Sequence, residues 1–153
     1  MKLKTVVVVA GLIVCFAAGL TGQAPARPQA APADPDVYTM ALTGDSIITR
    51  RLSPYKEPSF LQMLDLIRNA DVAFTNLEML FHDYETYAMN QSGGTYMRAE
   101  PALAKELAWA GFDLVARANN HTGDYAPDAM RLTTKYVAEA GLVGAGVGET
   151  LSE

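Results

Sequence analysis

The chain has 153 residues, 50% hydrophobic and 19% charged, with a formal net charge of −5. That composition suits one globular domain with a sizeable core and excludes a disordered chain. The acidic balance, with no cluster of Lys or Arg, excludes a nucleic-acid-binding surface, which needs a basic patch.

Lys2 and Lys4 precede the uncharged run TVVVVAGLIVCFAAGL, the pattern of a secretory signal peptide over residues 1–24. The run is also close to membrane-spanning length, so both cleavage near Ala24 and retention as an N-terminal membrane tether stay open. Either way the pattern predicts export, to the periplasm or the cell exterior. Cys15, the one cysteine, lies in this run behind Val14, a poor residue to precede a lipidated cysteine. A mature chain therefore has no thiol or disulfide chemistry. Residues 25–36 are Ala/Pro-rich without periodicity and read as an extended linker.

From Val37 the periods alternate. VYTMALTGD reads as a strand ending in a Gly-Asp turn. PSFLQMLDLIRNA places Phe60, Met63, Leu64 and Ile67 on one helical face behind Pro58. DVAFTNLE is a short apolar strand with a polar end, and residues 79–100 are an excursion with room for a short hairpin. PALAKELAWAG is a second helix between Pro101 and Gly111, and FDLVARA a third strand. APDAMRLTTKYVAEAG is a third helix, predicted to turn Met130, Thr134 and Val137 inward, and LVGAG is a fourth strand. The order β-α-β-α-β-α-β predicts an α/β fold with a parallel sheet and right-handed crossovers. Functional groups in such sheets gather at the carboxyl ends of the strands.

Three strands end in polar groups: Asp45 after the first, Asn76 and Glu78 after the second, Asn119, Asn120 and His121 after the third. Each signal alone has an ordinary structural reading: Gly-Asp as a turn, NLE as a helix start, a lone histidine as a satisfied polar group. At successive ends of a parallel sheet, however, Asp45, Asn76, Glu78, Asn120 and His121 can converge. Two carboxylates, amide oxygens and one imidazole suit Mn, Mg or Fe better than a structural zinc. His82 reads as a solvated loop residue. The sequons at Asn90 and Asn120 are short enough to arise by chance. GLVGAGVGET lacks the lysine of a phosphate loop and reads as a strand-to-helix turn.

LTGDSIITRRL, ADVAFTNLEML and GFDLVARANNHTGDYAPDAMRLTTKYVAEAGLVGAGVGETLSE, in that order, resemble the bacterial capsule-biosynthesis family typified by the poly-γ-glutamate synthesis protein CapA. That family is similar to the calcineurin-like metallophosphoesterases, which implies a helix-flanked β-sandwich and a divalent-metal hydrolase site. The resemblance implies metal ligands at Asp45, at Asn76 or Glu78, and at Asn120. It implies His121 as general acid or transition-state stabiliser, with Asp124 orienting its ring. The implied substrate is an anionic cell-surface polymer or a phosphoester; a non-catalytic assembly role for such a polymer is the alternative. Ala126 stands where the family usually has Gly, and Arg117 adds a charge near the end of the third strand. The resemblance also implies further histidine ligands from a second half of the fold. With His82 and His121 the only histidines, the chain reads as the amino-terminal half of such a sandwich, with one sheet face left uncovered.

Overall fold

The computed structural model describes residues 36–92 and 94–150. The expected signal peptide, and the expected linker up to residue 35, lie outside the described residues. Among the described residues no helix is long and apolar enough to cross a membrane.

Strand β1 (Met40–Ser46) leads into α1 (Pro58–Arg68), then β2 (Val72–Leu77). The excursion carries two short strands, β3 (Leu80–Phe81) and β4 (Arg98–Ala99). A 3-10 turn, Pro101–Leu103, opens α2 (Ala104–Ala110); β5 (Leu114–Ala116), α3 (Ala126–Glu139) and β6 (Val143–Ala145) follow. Strands β1, β2, β5 and β6 form one sheet in that order, every pairing parallel, as the alternation of periods predicts. The excursion is not a hairpin. Its strands β3 and β4 pair parallel, because residues 82–97 loop out and return in the same direction.

One hydrophobic cluster joins the sheet residues Ala73, Leu77 and Val115 to Leu64 and Ile67 of α1, Leu107 of α2 and Val137 of α3. All three helices therefore cover the same face of the sheet. Full burial of side chains such as Leu64, Leu107 and Phe81 contributes roughly 1.5–3 kcal/mol each. The opposite face carries a cross-strand row, Leu42, Phe74, Leu114 and Val143, each in register with the next. Leu42 is 39% and Val143 62% exposed, so among the described residues this apolar face is uncovered.

Two helical faces differ from the periodicity reading. In α1, Leu64 and Ile67 are buried but Met63 is 45% exposed. In α3 the inward residues are Ala129, Thr133 and Val137, not Met130 and Thr134. The cause is the company the helix keeps. Thr133 Oγ1 accepts the Phe81 N–H of β3 at 2.9 Å, a close approach the small Ala129 permits. The Met130–Thr134 edge instead receives the Arg117 side chain, which donates to Met130 O at 2.8 Å and to Thr134 Oγ1.

Helix α2 ends at Gly111 in the left-handed conformation, φ +105°. A Cβ there would lie 2.6 Å from Arg68 Cγ, so the stop predicted from sequence also permits α1 and α2 to pack.

Candidate functional site

The register of β1 on β2 shifts between Leu42 and Asp45: Leu42 faces Phe74, yet Asp45 faces Asn76. Three residues on β1 therefore span two on β2, a β-bulge at Thr43 and Gly44. Strict alternation would have turned Asp45 toward the helices. The extra residue carries it to the uncovered face beside Asn76, where the Asn76 Nδ2 donates to Asp45 Oδ1 at 2.8 Å. Thr75 Oγ1 donates to Gly44 O at 2.8 Å and so satisfies a carbonyl in the bulge.

From there the contacts run along the strand ends. Asn119 Nδ2 donates to Asn76 Oδ1 at 3.2 Å and to Leu77 O at 2.9 Å. Asn119 Oδ1 accepts the His121 N–H at 3.0 Å. His121 Nδ1 lies 2.8 Å from Asp124 Oδ2, which also accepts the Met97 N–H at 2.8 Å. A carboxylate can only accept here, so Nδ1 carries the proton and Nε2 is the ring atom left to exchange one. Nε2 faces Glu78, 3.9 Å from Oε1. His121 and Asp124 are buried, Glu78 and Asn76 are half-buried, and Asp45 and Asn120 are exposed. Beside His121 a gap too small to admit a water is lined by Glu78, Met79, Leu80 and Asn119.

The expected residues thus gather on one sheet edge: Asp45 with Asn76, and Glu78 and Asp124 with His121. The amide of Asn119 ties them together, while Asn120 sits at the exposed rim. Asn119 stands outside the ligand set read from sequence, although its signal is there. An Asn two residues before another residue's N–H is the pattern of an Asx-turn, and the turn fixes the side chain across the strand ends.

The donor set matches a hard divalent cation in kind, with two carboxylates and amide oxygens. It is short in number: among the described residues no three His, Cys, Asp or Glu side chains are grouped to hold a metal.

His82 is not the solvated loop residue expected from sequence. It is fully buried, with its ring 4.4 Å from that of Tyr125 and its Nδ1 accepting the Tyr84 N–H at 3.1 Å. Burial, with the nearby Arg98 charge, holds its pKa below the usual histidine value. Arg117 is likewise buried at 3% exposure, and burial pulls its guanidinium down to about 10. It stays protonated at neutral pH, held by neutral oxygens alone among the described residues.

Ala126, at the start of α3, has φ +66°. This is the left-handed region that glycine enters freely and alanine does not, which gives a physical reason for glycine at this place.

Residues 39–153 match the family model described as bacterial capsule synthesis protein PGA_cap. The chain is also 36% identical over 121 residues to two uncharacterized proteins of Sinorhizobium fredii (strain NBRC 101917 / NGR234), y4sH and y4uA. The match covers 77% of this chain and 26% of each relative, so the chain spans about a quarter of the length of the curated relatives it matches.

Proposed function

The chain belongs to the bacterial capsule synthesis protein family, and from that premise we propose that its strand-end row is a divalent-metal hydrolase site serving an exported surface polymer. The observation that carries the reading is the joint placement of Asp45, Glu78 and the buried His121–Asp124 pair on one sheet edge. Asp45, the amide of Asn120 and, from β2, either Asn76 or Glu78 would hold the cation, most suitably Mn, Mg or Fe. Such an ion would supply Lewis-acid chemistry, activating water and offsetting charge on the attacked group.

The rest belongs to the chain's own residues. Asp124 keeps the His121 proton on Nδ1, so Nε2 is poised to take a proton and return it to a leaving oxygen. The Met97 N–H steadies Asp124 as an acceptor and so keeps the ring in place. The substrate is an anionic polymer of the cell surface or a phosphoester, and the chain acts after export, free or tethered. The uncovered row of Leu42, Phe74, Leu114 and Val143 supports a two-sheet, metallophosphoesterase-like sandwich, because such an apolar face is stable only when covered.

Titration with MnCl2 tests the site. Asp45→Ala and Asn120→Ala should each weaken binding about tenfold or more. If both bind as the parent does, the ligand assignment is wrong. With binding in hand, Mn2+-dependent hydrolysis of p-nitrophenyl phosphate that disappears in His121→Ala would carry the chemistry. A non-catalytic role in assembling or exporting the polymer is the second reading. It is favoured by the absence, among the described residues, of any three acidic or histidine side chains grouped to hold a metal.

A further inference from the structure

Asn119 is flanked by two backbone groups whose roles cannot be exchanged. The Leu77 carbonyl only accepts, and the His121 N–H only donates. The Asn119 amide is therefore fixed with Nδ2 toward Leu77 O at 2.9 Å and Oδ1 toward His121 N at 3.0 Å. The second Nδ2 hydrogen points at the Asn76 side chain, 3.2 Å away, so the Asn76 atom facing it must be Oδ1. Asn76 Nδ2 is then left to donate to Asp45 Oδ1 at 2.8 Å. The two ends of a side-chain amide are alike in shape, and here the orientation passes from two backbone groups through Asn119 to Asn76.

We infer that Asn119 is a positioning residue, which turns the Asn76 amide so that it holds the Asp45 carboxylate by N–H donation. One side chain thus links the acid on β1 to the backbone of His121 after β5. The consequence for the site rests on the metal reading above: the Asn76 oxygen is engaged inward, so the oxygen that β2 offers a cation is that of Glu78. It also explains the doubled asparagine, since Asn119 and Asn120 have separate tasks, one facing the sheet and one the rim.

Asn119→Ser tests this. The serine hydroxyl can still accept the His121 N–H in a turn of the same kind but cannot reach Asn76. The first readout needs no metal: the two side-chain amide proton signals of Asn76 in a 1H–15N spectrum. In the parent they should lie at shifted, hydrogen-bonded positions, and in Asn119→Ser they should move toward free-amide values. Thr122→Ala is the control, because Thr122 Oγ1 supports the same turn, accepting the Asn119 N–H and donating to Arg117 O, without touching Asn76. Unmoved Asn76 signals in Asn119→Ser overturn the inference, and so does an equal movement in Thr122→Ala. The second readout is MnCl2 affinity. Asn119→Ser should bind several-fold more weakly than the parent, and Glu78→Gln at least tenfold more weakly. A Glu78→Gln variant that binds as the parent does overturns the ligand consequence. A parent that takes up no Mn2+ refutes the metal reading, while the Asn76 signals still decide the role of Asn119.

Discussion

Asp45 lies directly opposite Asn76 across the β1–β2 ladder because β1 carries one residue more than β2 between that pair and the Leu42–Phe74 pair. The bulge moves a carboxylate from the helix-covered side of the sheet to its open side, where Asn76, Glu78 and the loop after β5 also stand. A site is made where a regular strand would have buried an unpaired charge.

Asp124 should matter more to proton transfer than to the fold. In Asp124→Asn the buried amide can donate to His121 Nδ1 or accept from it, so the ring loses its fixed tautomer. The Mn2+-dependent phosphoester turnover proposed above should fall about 10- to 100-fold, with the thermal midpoint lowered by only a few degrees. Steady-state kinetics beside a melting curve checks both, and unchanged turnover would remove Asp124 from the mechanism.

Ala126→Gly should stabilise the protein. With φ at +66°, alanine is held in a region that disfavours any Cβ, at a cost of about 1 kcal/mol. Relief of that cost should raise the midpoint of thermal unfolding by roughly 4 °C. A decrease would mean that the loss of α3 helix propensity outweighs the strain.

Arg117 is a buried cation held by a main-chain carbonyl and a hydroxyl, with no carboxylate beside it among the described residues. Its neighbours are not left wanting without it, since Thr134 Oγ1 also donates to Met130 O at 3.0 Å. Arg117→Met should therefore change stability by less than about 1 kcal/mol, or raise it. Arg117→Glu, which buries an anion against the same oxygens, should prevent folding. Urea denaturation of the two variants decides it.

His82 predicts a pH dependence. Its folded pKa lies below the unfolded value, so as pH falls through about 6.5 the unfolded chain takes up the proton first. Its share of stability is thus present above the unfolded pKa and is lost on acidification toward the folded one. His82→Asn keeps an acceptor for the Tyr84 N–H but does not titrate. Between pH 7.5 and 5.5 the parent should lose more stability to urea than this variant; equal losses would acquit His82.

The uncovered sheet face should make the isolated chain self-associate. Leu42→Lys with Val143→Lys places charges at both ends of the exposed row without touching the helix-covered core. Light scattering should report less association at the same helical circular dichroism signal. If scattering is unchanged, association runs through another surface.

The alternation of strands and helices, the parallel order that follows from it, and the strand ends where polar groups would gather are legible in the residues alone. These are local signals: Pro58 and Pro101 open helices, Gly111 closes one in the left-handed conformation, and apolar runs of strand length stop at GD, NLE and NNH. The rest depends on packing, because each remaining question is one of register between distant segments. The bulge that aims Asp45 exists only in the pairing of β1 with β2. The inward face of α3 was set by β3 docking on Thr133 and Arg117 reaching the neighbouring edge, so Ala129 and Thr133, rather than Met130 and Thr134, join Val137 inward. His82 is buried because Tyr125, 43 positions later in the chain, closes over it. Asn119 links the strands for the same reason: its side chain is the one seen to reach Asn76 and Leu77 of β2.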